Sequence, residues 1–337
     1  MDIEEKLKLI KRNTSEILGE NELKKILEKK KPAAYWGTAP TGRPHVGYFL
    51  PMLKIADLIR AGFKVKILLA DLHASLDNVP WNILEKRYNY YLKVIPMMIQ
   101  SVGVNIKDLE IIKGSDFQLK PEYMFDVLRM SSFVSVHDAN KAASEVVKQE
   151  SNPKLSGLLY PIMQAIDEQY LNADVQLGGT DQRKIMVLAR ENLPKIGYHS
   201  RIELMNPLIL GLIGKKMSSS DEKSKIDLLD DEKTVINKIN NAECISGNPD
   251  NSLLAFTKYV IMTIKKDNNK KFVIEREKKY GGNLEFLDYN NLEKAFIEKK
   301  IHPQDLKNAV AKEVNLLLKL FRDNKPRLEK LSREAYS

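Results

Sequence analysis

The stretch AAYWGTAPTGRPHVGY, residues 33–48, decides how the rest of the chain is read. It opens with a short apolar run, residues 33–36, and passes through Gly37 and a turn-rich segment, residues 38–44. A long helical pattern then runs from His45 to about Arg60, and Gly62 closes it. Residues 65–70, VKILLA, are almost continuously apolar, as expected of a parallel strand buried on both faces. The result is a strand, helix, strand unit.

Outward from this unit the alternation continues. A helix is expected over residues 84–102, a strand over 109–113, a helix over 160–170, a strand over 175–177, a helix from Arg183 and a strand over 202–205. Residues 121–148 form a polar, helical insertion within that series. Strands alternating with helices imply an α/β fold, a doubly wound parallel sheet of Rossmann type. Ahead of it, residues 3–29 repeat apolar positions (Leu7, Ile10, Leu23, Leu27) at helical spacing, with Thr14 or Ser15 as candidate cap. Beyond Ser218, Ser219 and Ser220 the composition becomes polar, then rich in Lys and Asn with helical spacing. The expected organisation is a large domain over residues 1–220, a linker over 221–232 and a mainly helical domain over 233–337.

Composition narrows the function classes. A chain of 337 residues with 43% hydrophobic content supports a substantial core. No run approaches the roughly 18 apolar residues of a membrane span, and the charged start does not read as a targeting segment, so a soluble cytoplasmic protein is expected. One cysteine, Cys244, forms neither an internal disulfide nor a zinc cluster, and the five histidines are scattered, so no protein-bound metal is expected. The formal net charge of +9 suits a polyanionic partner, and equally a solvated lysine-rich surface such as residues 29–31.

Two segments carry chemistry. Pro40, Thr41, Gly42, Arg43, Pro44, His45, Val46, Gly47 and Tyr48 lie between a buried strand and a helix start, where backbone N–H groups and the positive dipole end receive phosphate. The same residues also suit a tight turn with a satisfied histidine. The second is Gly214, Lys215, Lys216, Met217, Ser218, Ser219, Ser220 and Asp221, a glycine-flexed loop whose lysines and hydroxyls can close over a triphosphate, or else a solvated linker.

Together the two resemble the HIGH and KMSKS motifs of class I aminoacyl-tRNA synthetases, as HVGY at residues 45–48 and KMSSS at residues 216–220. Tyr48 replaces the last histidine and Ser219 the second lysine, which shifts the cationic role onto Lys216 with Lys215 as helper. Ordered matches elsewhere, among them YWGT at 35–38, ADLHA at 70–74, GSDFQ at 114–118, YPIMQ at 160–164, GGTDQRK at 178–184 and HPQDLKN at 302–308, resemble the archaeal and eukaryotic tyrosyl-tRNA synthetase family. Neither the C-terminal extension of animal members nor the RNA-binding tail of bacterial ones is expected.

The resemblance implies activation of L-tyrosine with ATP, Mg²⁺ accompanying the nucleotide, and transfer of tyrosyl to its tRNA. It assigns His45 and Lys216 to catalysis. Tyr35, His73, Gln118, Tyr160, Gln164, Asp167 and Gln182 fall to tyrosine. Gly37, Gly47, Tyr48, Gly179, Asp181, Lys215, Met217, Ser218 and Ser219 fall to ATP, and Arg183, Lys184 and Asp305 to tRNA. The spacing of Tyr160, Gln164 and Asp167 independently projects all three from one helical face, whereas residue type alone favours an exposed helical carboxylate for Asp167, and Asp305 could equally be a helix cap. A homodimer is implied, with residues 121–148 in its interface, and residues 233–337 become an anticodon-binding domain. A tryptophanyl-tRNA synthetase and a non-catalytic RNA-binding relative remain the alternatives.

Overall fold

The computed structural model describes residues 1–106, 109–147, 154–212 and 224–336. Among them, six strands form one sheet in the order β1-β6-β5-β2-β3-β4: β1 (Glu16–Leu18), β2 (Ala33–Thr38), β3 (Lys64–Leu69), β4 (Leu109–Lys113), β5 (Val175–Gly179) and β6 (Ile202–Asn206). All neighbours pair in parallel except β1, which runs antiparallel to β6. One face of the sheet (Val65, Ile67, Leu69; Val175, Leu177; Ile202, Leu204) packs into the main hydrophobic core, and the alternate positions Tyr35 and Leu68 join a second buried cluster on the opposite face.

Every strand expected of the parallel sheet is present, and the helices Phe49–Arg60, Leu84–Ser101, Leu155–Tyr170 and Arg183–Asn192 fall where the periodicity put them. The chain start differs. Helix Ile3–Lys11 is capped by Asp2, which shares a capping box with Glu5, rather than by Thr14 or Ser15. Residues 16–18 leave the helical path and become β1, where Ile17 pairs with Leu204 and gives β6 a partner on its outer edge. Three residues are too few to show an alternation, so nothing local announced that strand.

The insertion folds as helices Pro121–Ser131 and Val136–Ala143. Beyond the sheet the chain is mainly helical, as expected, with Glu232–Asn240, Tyr289–Ile297, Pro303–Asp323 and Lys325–Tyr336 among its helices. A two-stranded hairpin, β7 (Phe272–Ile274) with β8 (Leu284–Phe286), was not foreseen, again because each strand has only three residues. Residues 224–229 fall within the stretch read as a polar linker, yet Ser224, Lys225, Ile226, Asp227 and Leu228 are buried. Ile226 and Leu228 join the hydrophobic core, and the Asp227 carboxylate faces Arg43 at 3.1 Å. Half-buried Cys244 packs against that core as well.

Candidate active site

Strand order reverses between β2 and β5, whose next neighbours, β3 and β6, lie on opposite sides. In an open parallel sheet, ligands bind outside the carboxyl ends of the strands at such a point. A cleft of about 480 Å³ lies there. Of the residues singled out from the sequence, Tyr35, Gly37, His45, Gly47, Tyr48, His73, Tyr160, Gln164, Asp167, Gly179, Asp181 and Gln182 all line it. Residues from strands β2 and β5, from helices Asp71–Leu76 and Leu155–Tyr170 and from two 3₁₀ turns thus meet in one cavity.

The cleft floor centres on Asp167, only 1% exposed. Its Oδ1 accepts hydrogen bonds from Gln118 Nε2 and from the Tyr123 hydroxyl, each at 2.8 Å. Its Oδ2 stands 3.8 Å from His73 Nε2, beyond hydrogen-bond reach. Burial pushes the Asp167 carboxyl up to about 7, opposed by the two donors. Burial likewise lowers His73 to about 4, so its ring is neutral near pH 7. The exposed-carboxylate alternative for Asp167 is therefore set aside. Gln118 does not itself line the cleft; it donates to Asp167 and lies 3.3 Å from His73 Nδ1.

Tyr35 comes from β2, where it pairs with Gln176 of β5. Its hydroxyl is buried and makes no hydrogen bond among the described residues, and the same holds for His73 Nε2. An unpaired buried polar group costs about 1–3 kcal/mol. Leu68 and Ala70 line the same cavity, so the floor is an apolar slot ending in a hydroxyl, a carboxylate oxygen and an imidazole edge. Nearer the mouth, Gln164 Nε2 donates to Gln182 Oε1 at 3.0 Å, and Tyr160 packs edge-on against His73.

His45 occupies the N-cap of the 3₁₀ turn Val46–Tyr48 that leads into helix Phe49–Arg60. Its Nδ1 accepts from Gly47 N at 3.2 Å, so the neutral ring carries its proton on Nε2. At Gly179 a Cβ would lie 2.4 Å from Asp181 Oδ1, so a larger residue there would displace the Asp181 side chain. At Gly37 a Cβ would meet only ordinary contacts, the nearest at 3.6 Å, so the protein's own packing does not demand glycine.

Arg183 and Lys184 start the helix beyond the cleft and are not in its lining. Arg183 forms a bidentate pair with Glu16 at 2.7 and 2.9 Å, and Lys184 reaches Ser144 and Glu145. Asp305 lies in the first turn of Pro303–Asp323, whose cap is His302, accepting from Gln304 N at 3.1 Å. The capping role considered for Asp305 thus belongs to His302. Lys215, Lys216, Met217, Ser218 and Ser219 lie outside the described residues.

Sequence reasoning missed Tyr123, which also donates to the Met163 carbonyl at 2.8 Å. Tyr123, Val127 and Met130 form a helical apolar stripe, so the tyrosine read as core, and only tertiary packing brings its hydroxyl to Asp167. It also missed Asp77, Gln176 and Asn206, which line the cleft. Among the described residues no group of three or more His, Cys, Asp or Glu is arranged to hold a metal ion.

Comparison with known proteins identifies the family. Residues 27–319 match the model for "tRNA synthetases class I (W and Y)". The chain is 51% identical over its full length to the cytoplasmic tyrosine–tRNA ligase of Xenopus laevis, covering 64% of that protein. It therefore spans just under two thirds of the length of the vertebrate relatives it matches. With the cytoplasmic tyrosine–tRNA ligase of Saccharomyces cerevisiae it is 47% identical, covering 100% of this chain and 89% of the yeast one. The tyrosyl-tRNA synthetase of Archaeoglobus fulgidus, solved in complex with L-tyrosine, superposes with a TM-score of 0.88 at 38% identity, covering 97% of this chain and 100% of that one. A doubly wound sheet with its cleft at the switch point, matched end to end by such relatives, leaves one assignment: the chain belongs to the class I tRNA synthetases of the W and Y family, in the tyrosyl branch.

Proposed function

We propose that this chain activates L-tyrosine with ATP, forming tyrosyl-adenylate and pyrophosphate, and transfers the tyrosyl group to its tRNA. One observation carries the reading: the cleft floor joins an apolar slot to a buried Tyr35 hydroxyl that makes no hydrogen bond among the described residues, beside the Asp167 Oδ2 that stands 3.8 Å from His73 Nε2. A phenol fills that slot and satisfies both atoms, whereas phenylalanine leaves them unpaired and an indole presents its N–H elsewhere.

In this reading Tyr35, His73, Gln118 and Asp167 hold the ring and its hydroxyl, while Tyr160, Gln164 and Gln182 surround the α-ammonium. The tyrosine carboxylate attacks the α-phosphorus of ATP, so no enzyme nucleophile is required. The chain contributes positioning and charge stabilisation. Gly37, Gly47, Tyr48 and Gly179 admit the nucleotide, Asp181 takes its ribose hydroxyls, and His45 donates from Nε2 to a phosphate oxygen gaining charge. Lys216, helped by Lys215, Met217, Ser218 and Ser219, closes on the pyrophosphate, and Mg²⁺ travels with the nucleotide.

Residues 1–220 constitute the catalytic domain and 233–337 an anticodon-binding domain, and within the intervening 221–232, residues 224–229 pack into the core. Arg183 and Lys184 meet the acceptor stem, and Asp305 accepts from the first anticodon base. A cytoplasmic homodimer completes the proposal, supported by exposed apolar side chains on the insertion: Phe125, Leu128 and Val136 are 63, 66 and 73% exposed.

Pyrophosphate exchange run with each standard amino acid tests the assignment. Exchange dependent on tyrosine alone is expected. Exchange with tryptophan would overturn the substrate, and absence of any adenylate would favour a non-catalytic RNA-binding protein.

A further inference from the structure

We propose that Tyr336, in the last turn of helix Lys325–Tyr336, is a positioning residue for ATP: its hydroxyl holds the loop that leads into His45 in the shape that lines the cleft. The proposal rests on the tyrosine-activating reading above and goes beyond it, because Tyr336 belongs to the C-terminal helices and lies outside the cleft lining.

The loop over residues 40–43 is tethered through its backbone. The Gly42 carbonyl accepts from two phenols, Tyr91 at 2.6 Å and Tyr336 at 3.0 Å. The Thr41 carbonyl accepts from the guanidinium of Arg87. Arg87 is itself placed by the C-terminal helix: its Nε donates to the Ala335 carbonyl at 3.2 Å, and its guanidinium lies 4.8 Å above the Tyr336 ring. Tyr90 packs edge-on against that ring. From the other side Arg43 pairs with Asp227, and Val46 N donates to the Ile226 carbonyl at 3.1 Å.

Thr41 and Gly42 both line the cleft, as does His45 three residues on. A trans peptide is planar, so fixing a carbonyl fixes the direction of the next N–H. Gly42 lacks the Cβ that would otherwise restrict its dihedrals, which makes external tethers the means of ordering this loop. The hydroxyl of Tyr336 bonds to Gly42 and its ring meets Arg87 and Tyr90, so the effect falls on the nucleotide and not on the amino acid.

The test compares the full chain with Tyr336→Phe, which keeps the ring against Tyr90 and Arg87 and removes only the hydroxyl. Loss of one neutral hydrogen bond corresponds to about a three- to tenfold change. In tyrosine-dependent pyrophosphate exchange the KM for ATP should rise by that factor, while the KM for tyrosine and the thermal midpoint stay near wild type. An unchanged ATP KM overturns the proposal. So does an equal rise in both KM values with a lowered midpoint, which marks a purely structural role. Calorimetric titration of ATP alone into both proteins separates this question from the assignment. If the wild type supports no exchange, the functional reading falls, and a several-fold difference in ATP affinity still upholds the Tyr336 tether while equal affinities sink it.

Discussion

Asparagine at position 167 keeps the shape of the side chain and leaves Oδ1 able to accept from Gln118 and Tyr123, so the fold is preserved. What it removes is the charge on Oδ2, the atom standing 3.8 Å from His73 Nε2 at the end of the slot. A hydrogen bond to a charged acceptor contributes about 1.5–3 kcal/mol. At about 1.4 kcal/mol per decade, Asp167→Asn should weaken tyrosine binding about tenfold to a hundredfold. The pH dependence carries the sharper signature. Burial places the free carboxyl at about 7, and a phenol donating to it favours the ionised form. Tyrosine binding therefore drives proton release below that pH, and the KM for tyrosine should fall as pH rises from about 6 to about 8, then level off. The asparagine variant has no carboxyl to ionise, so its profile should be flat over that range. Initial-rate pyrophosphate exchange at several pH values measures both effects. Near wild-type affinity in the variant, or a wild-type pH slope surviving in it, would refute the role given to Asp167.

Three further outcomes are expected. Tyr123→Phe deletes one of the two donors that hold the Asp167 carboxyl down, so the pH midpoint for tyrosine binding should move upward and the KM for tyrosine at neutral pH rise several-fold; an unmoved midpoint would show that Tyr123 only packs. Glu203 is buried and pushed well above the usual carboxylate range, by burial and by the charge of Glu168. A carboxyl whose folded pKa is raised contributes stability below its unfolded pKa that is lost as pH climbs toward the folded value. Glu203→Gln lacks that titration, so its thermal midpoint should gain on wild type as pH rises above the usual carboxylate range; a constant difference would contradict the raised Glu203 carboxyl. Phe125→Asp, on the exposed apolar face of the insertion, should convert a dimer to a monomer in sedimentation velocity, and a wild-type value of either state in both proteins would remove that face from the interface.

Much of the fold was legible because its signals are local. Residues 65–70 are almost continuously apolar, as a strand covered on both faces requires, and the helices along the sheet carry clear periodicity. The elements that escaped, β1 and the β7–β8 hairpin, have three residues each and owe their strand geometry to the partner they pair with. The ligand-facing residues divide in the same way. Tyr160, Gln164 and Asp167 share a face through helical spacing, which a reader of the sequence can count. Tyr123 shares their site only because helix Pro121–Ser131 packs on helix Leu155–Tyr170, and no spacing connects them.

By itself, then, the sequence determined the alternating α/β pattern and the shared helical face of Tyr160, Gln164 and Asp167, since each depends on neighbours within a few positions. Only the tertiary structure decided the protonation balance of Asp167, the hydroxyl from Tyr123 and the grip of Tyr336 and Arg87 on residues 41 and 42. Those depend on burial and on contacts spanning 44, 294 and 46 positions along the chain. Desolvation and long-range hydrogen bonds arise only when distant segments are packed together, and a linear pattern does not record that packing.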